Sequence, residues 1–185
     1  MMNKILLDAE ERMKKALESS RRELAGIRTG KASPALLDTV KVEAYGQTMS
    51  LKEVGSVSAP EPRLLLVQPW DKGLIKAVSR AIQLAELGLS PTDDGTVVRI
   101  PIPTLTEERR RDLVKLVAKL TEEGRVHVRQ VRHDVNKDIK HQQDAGTLAE
   151  DDAKRLIADV QKLTDRYVAL LDELLKKKTA EVMEV

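Results

Sequence analysis

Apolar residues recur in steps of three and four through both ends of this chain, and the pattern stops in between. In 147–185, Ala153, Leu156, Val160, Leu163, Tyr167, Leu170 and Leu174 form one seam. That is the a/d repeat of a helix packed lengthwise on other helices. In 105–146 the stripe is Leu113, Leu116, Val117, Leu120, Gly124, Val128, Val131, Val135 and Ile139. Residues 1–30 repeat Leu6, Met13, Ser20 and Ile27 every seven positions, with Leu17 and Leu24 at the complementary heptad position. Only neighbouring helices can cover such seams, so the ends predict a bundle of three long helices. A helix of about 40 residues is a rod of about 60 Å.

Local signals place the breaks. Gly26 costs the first helix about 1 kcal/mol against Ala, and Gly30 is its predicted stop. Thr104 or Thr106 caps the second helix, and Gly146 ends it. Thr147-Leu148-Ala149-Glu150 matches a capping box, which predicts Thr147 as the cap of the third.

Between the seams the period changes to two. Thr39–Tyr45 alternates like a strand, Gly46-Gln47 reads as its turn, and Thr48–Leu51 as its return. Arg63–Gln68 reads as a buried strand ended by Pro69. Asp71 is the predicted N-cap of a helix over Lys72–Leu87, closed by Gly88. Asp94-Gly95 marks a turn before a strand over Thr96–Ile100, and Trp70 is expected to pack in the core. The predicted fold class is α+β. Residues 1–30 and 105–185 form a discontinuous three-helix bundle, and 31–104 an inserted small α/β domain of mixed β-sheet plus helix. Gly30, Lys31, Ala32, Ser33, Pro103 and Thr104 form the two tethers of a hinge.

Composition narrows the function. The 185 residues include 41% apolar side chains, enough for a core, and no cysteine. A disulfide scaffold, thiol catalysis and Cys-based zinc sites are therefore excluded. No apolar run is long enough for a membrane span, and the first residues lose hydrophobicity too soon for a secretory signal. A cytoplasmic protein is the expectation. His127, His133 and His141 lack the i,i+4 spacing that puts two ligands on one helix face, and no phosphate-binding loop, dinucleotide motif or nucleophile elbow is present. The expectation is a protein that is not an enzyme, with no metal and no cofactor.

The formal charge of +2 is unevenly spread. Residues 1–30 and 105–146 each carry +2, 31–104 are neutral and 147–185 carry −2. An anionic partner is therefore expected on the rod. Arg125, Arg129, Arg132, Asn136 and Lys140 share one helix face, with His133, Lys137 and His141 beside it. Carboxylates at i±4 around Arg125–Arg132 are lacking, which favours phosphate contacts over a salt-bridged surface. A solvated helix face is the competing reading. Arg109-Arg110-Arg111 opens the same helix, where positive charge is unfavourable. Binding is one reason for it; pairing with Glu107, Glu108 or Asp112 is the other. Arg28 is expected close by.

The run Arg28-Thr29-Gly30-Lys31-Ala32-Ser33-Pro34-Ala35-Leu36-Leu37-Asp38 resembles the signature stretch of bacterial ribosome recycling factors. So do Pro69-Trp70-Asp71-Lys72, Asp94-Gly95, Leu105-Thr106-Glu107-Glu108-Arg109-Arg110, Arg129–Asn136 and Gln161-Lys162-Leu163-Thr164-Asp165. The resemblance runs in order from end to end. It implies a three-helix bundle with a hinged α/β domain, roughly L-shaped, and a monomer. It also implies binding to the large ribosomal subunit (23S-type rRNA) between the A and P sites. Subunit splitting with GTP-bound elongation factor G, and release of mRNA and tRNA, would follow. No membrane and no DNA are implied. By position, Arg129 and Arg132 match the family's central arginines, and Arg28, Arg109 and Arg110 its basic group near the hinge. The RNA-binding set is then Arg125, Arg129, Arg132, His133, Asn136 and Lys137 with Arg28, Arg109 and Arg110. Departures are Gln130, His133, Val135 and Lys137, where the family commonly has Asn, Arg, Ala and Asp. Two more are Thr104 for a second proline and Ala149 for a frequent Ser. His133 weakens the constant positive charge at that position. Two rivals stand beside this: a helical adaptor binding protein partners through its rod, and an RNA-modifying or hydrolytic enzyme with its site in the insert.

Overall fold

The computed structural model describes residues 2–184. The chain divides into two compact units, Met1–Leu24 with Arg111–Val185, and Ala25–Arg110.

The first unit is helical, built from α1 (Met2–Ala25), most of α4 (Glu107–Asp144) and α5 (Glu150–Met183). Its core joins Ala9, Met13 and Leu17 to Val128, Val131, Val135 and Ile139, and to Ala153, Leu156, Val160, Tyr167 and Leu171. α1 ends at Ala25, so Gly26 and not Gly30 stops it. The Gly26 backbone entropy penalty wins where the seam alone would have continued.

The buried stripe also departs from the apolar pattern. Leu116 is 40% exposed, while Thr121, Thr164 and Ser20 are buried. Leu171, not Leu170, is fully enclosed. A straight helix drifts about 20° per heptad against a 3.5-residue repeat, so the inward face moves off the leucine positions. The two threonines are tolerated there because each hydroxyl donates to a carbonyl four residues back, Thr121 to Val117 and Thr164 to Val160, both at 2.8 Å.

Thr147 is not the cap of α5. Its hydroxyl and its N–H both bond the Gln142 carbonyl, at 2.9 and 3.0 Å, beyond Gly146 at φ +73°. It closes the end of α4, and Leu148 is buried beside that turn. Ala149 is the N-cap of α5 and makes no side-chain bond. Glu150, Asp151 and Asp152 in the first turn supply negative charge there instead.

The second unit holds a hairpin, a sheet and two helices over their shared core. β1 (Lys41–Ala44) pairs with β2 (Gln47–Ser50). The turn is Tyr45-Gly46, at φ +52° and +74°, so it lies one residue before the expected Gly46-Gln47. Positive φ at both positions is the two-residue turn whose twist matches a hairpin. Next come α2 (Leu51–Val54), β3 (Gly55–Glu61), β4 (Leu64–Pro69), a 3-10 turn (Lys72–Leu74), α3 (Ile75–Leu84), β5 (Thr92–Asp93) and β6 (Val98–Pro101). The sheet order is β3-β4-β6-β5, every pair antiparallel. Sequence reasoning missed α2 and β3. β3 is mostly exposed and carries no period-two signal; it is held by its register with β4, where Gly55 lets the Gln68 carbonyl approach. α3 ends at Leu84, three residues early, because Glu86 already has φ +53°.

The core gathers Val42, Ala44, Leu51, Val54, Leu65, Val67, Val78, Ile82, Val98 and Ile100. Trp70 does not join it: it is 70% exposed. Leu65, Val67 and Pro69 point inward along β4, so the next position turns outward.

Candidate nucleic-acid interface

The basic stripe lies on α4 and is anchored from α5. Arg125 is held from two sides. Its Nε and Nη2 donate to Asp172 Oδ1 at 2.8 and 2.6 Å, and its Nη1 to Glu122 Oε2 at 2.8 Å. The side chain is only 15% exposed. Burial alone would lower its pKa, but the bonds to Glu122 and Asp172 outweigh that and raise it. Arg129 reaches the other Glu122 oxygen at 3.0 Å. The two arginines hold the Glu122 carboxyl below the usual carboxylate range. So these arginines do have carboxylates. They sit at i−3, at i−7 and on a different helix rather than at i±4.

Further along, the pairing changes. Arg132 Nη1 donates to the neutral Gln161 Oε1 at 3.0 Å, and Gln161 in turn donates to Asp165 at 2.8 Å. The guanidinium is thus aimed without being neutralised. His133, Lys137 and Lys140 are exposed, and neither lysine has an ion pair among the described residues. Asp134, between them in sequence, faces the other flank and takes Arg12 at 2.9 Å and Gln130 at 2.8 Å. Its pKa is lowered, first by the Gln130 bond and then by Arg12. Asn136 is half-buried, and its Oδ1 is enclosed without a hydrogen-bond partner. From Arg132 to Lys140 the exposed cations Lys137 and Lys140 have no ion pair among the described residues and Arg132 is not neutralised, with Asp138 the exposed acid among them, so the stretch can donate to phosphate.

The residues expected near the tethers fall in the second unit. Arg28 Nη2 donates to the Pro103 carbonyl at 3.2 Å, while its Nε is enclosed without a partner. Thr106 caps α4 by accepting from the Arg109 N–H at 3.1 Å. Gly30 has φ +79°, and a Cβ there would stand 3.4 Å from Leu105 Cγ, so the two tethers run side by side. Ala32 N–H bonds the Pro62 carbonyl at 2.7 Å, and Ile102 N–H that of Arg63 at 2.8 Å. Ser33 is the N-cap of the 3-10 turn Pro34–Leu37. Lys31, Arg110, Pro103 and Thr104 complete these segments. Gln161 and Asp172 are the contributors that sequence reasoning missed. Gln161 belongs to the family-like run Gln161–Asp165, but nothing in the sequence ties either residue to an arginine on another helix.

No group of three or more potential metal ligands occurs among the described residues, and no helix is long and apolar enough to cross a membrane.

Known proteins share this sequence and fold. The ribosome recycling factor family model matches residues 20–183. The ribosome-recycling factor of Symbiobacterium thermophilum is 52% identical over 185 residues, all of both chains. That of Rubrobacter xylanophilus is 54% identical over 180 residues, 97% of each. The solution structure of a ribosome recycling factor superposes with a TM-score of 0.81 at 42% identity, covering all of this chain and 98% of the other. Another similar chain, with a TM-score of 0.70 and 42% identity over the full length of both, comes from models of the Thermus thermophilus ribosome recycling factor and the Escherichia coli elongation factor G bound to the Escherichia coli post-termination complex. With one family model spanning most of its length and relatives matching it end to end, this chain belongs to the ribosome recycling factor family.

Proposed function

We propose that this protein binds the large subunit of the post-termination ribosome between the A and P sites. With elongation factor G and GTP it then promotes subunit dissociation and release of mRNA and tRNA. The work is binding and leverage, not bond chemistry. The observation that carries this reading is the α4 stripe, where Arg132 is oriented by an uncharged partner and flanked by His133, Asn136 and Lys137. Arg129 shares Glu122 and can exchange it for phosphate; Arg125, bound on two sides, serves mainly to hold α4 and α5 together. Arg109, Arg110 and Arg28, in the second unit, complete the proposed RNA-binding set. In this reading the bundle of residues 1–30 and 105–185 is the rRNA anchor. The 31–104 domain meets the elongation factor, swinging on Gly30–Ser33 and Pro103–Thr104.

The test is co-sedimentation with purified large subunits over a range of salt. Arg132→Ala should weaken binding and lower the magnitude of the log–log salt slope by about 1, the loss of one phosphate contact. Unchanged affinity and slope would remove Arg132 from the interface. Binding that persists after the rRNA is digested would favour an adaptor that recognises protein.

A further inference from the structure

The second unit is neutral overall, yet its cations are not evenly paired. Between β1 and α3 lies a cleft of about 710 Å³, lined by Thr39, Lys41 and Glu43 on one side and by Lys76, Arg80 and Leu84 on the other. That is the size of an ordinary ligand groove. Lys41, Lys76 and Arg80 make no ion pair among the described residues, unlike Arg12, Arg125, Arg129 and Arg166 of the bundle. Glu43 is the sole carboxylate on the lining. The remaining lining is apolar, with Ala77, Ala81 and Ala85 beside a Leu84 that is 70% exposed. β1 pairs with β2 alone, so its other edge keeps backbone donors and acceptors free.

We propose that this cleft receives an extended acidic peptide segment of a protein partner, laid along the free edge of β1. The three features act on different parts of such a ligand. The strand edge bonds its main chain, the alanines and Leu84 take alternate apolar side chains, and Lys41, Lys76 and Arg80 meet its carboxylates. A groove between a strand edge and a helix is suited to this mode of recognition. Single-stranded RNA fits it less well: the cleft offers no aromatic ring for stacking, and the strand edge has no counterpart on a nucleic acid backbone. This inference is independent of subunit binding by α4, and its test uses no ribosome.

The experiment is a titration of the isotope-labelled full-length protein with a six-residue peptide of alternating Glu and Val, followed by amide shifts and hydrogen exchange. A peptide of alternating Lys and Val and a six-nucleotide RNA are run in parallel. Saturable shifts confined to 39–43 and 76–85, slower exchange of β1 amides and weakening with salt are expected for the acidic peptide alone. The double variant Lys76→Glu with Arg80→Glu should reduce affinity at least tenfold. Both side chains are exposed, and the unshifted remainder of the spectrum reports an intact fold. No saturable shift, an equal response to the lysine peptide, occupancy by the RNA, or full affinity in the double variant would each overturn the proposal.

Discussion

Gly124 of α4 packs against Ser20 of α1 and Leu171 of α5. A Cβ built there would run into the Ser20 hydroxyl, with Leu171 Cδ2 at 3.1 Å and Ser20 Cβ at 3.4 Å. Two effects of Gly124→Ala oppose each other. Alanine favours the helix by about 1 kcal/mol over glycine. Overpacking a well-filled core costs about 1–3 kcal/mol. Leu171 can yield at the end of its side chain, but the serine is short and fixed to α1, so overpacking should win. We expect net destabilisation of up to about 2 kcal/mol. In a Ser20→Ala background the hydroxyl is gone, and Gly124→Ala should become neutral or stabilising there. The coupling between the two positions is then the relieved overpacking itself, about 1–3 kcal/mol. Urea unfolding followed by far-UV ellipticity measures it, because helices dominate that signal. An equal shift in both backgrounds, or stabilisation by Gly124→Ala alone, would refute the assignment of a crowded crossing.

Other expectations concern single residues. Trp70 is the only tryptophan, so native emission should be that of a water-exposed indole, freely quenched by acrylamide, and Trp70→Ala should change stability by no more than about 0.5 kcal/mol; a blue-shifted, protected emission would contradict its outward position. Arg125→Ala should lower bundle stability by about 1 kcal/mol, a modest figure because Glu122 and Asp172 are more than half exposed. If its stability is unchanged while subunit binding is lost, Arg125 belongs to the interface rather than to the α4–α5 junction. The Glu53 carboxylate accepts from the Ser50 N–H at 2.6 Å and the Ser50 hydroxyl at 2.9 Å, which lowers its pKa. Its stabilising effect is complete above the ordinary glutamate value and is lost as pH falls through the lowered folded value. In an NMR titration Glu53 should deprotonate below the exposed glutamates, and titration alongside them would remove the capping box.

The three long helices, their order and the αβ character of the insert were legible in the sequence because each depends on local periodicity and on glycine or proline at the breaks. Asp71 was readable as a cap for the same reason: its carboxylate reaches only two residues on, to the Gly73 N–H at 2.8 Å. The basic stripe was also visible, since residues three and four apart on a helix must share a face. What the sequence could not decide is what depends on partners distant along the chain. β3 forms because β4 lies beside it, not because its own residues alternate. Thr121 and Thr164 enter the core because helix drift carries them inward and each finds a carbonyl one turn back. Trp70 faces water because the preceding strand residues already fill the inner face. Most of all, tertiary packing divided one uniform row of arginines into different roles. Asp172 approaches from α5 and neutralises Arg125, whereas Gln161, from the same helix, orients Arg132 and leaves its charge free.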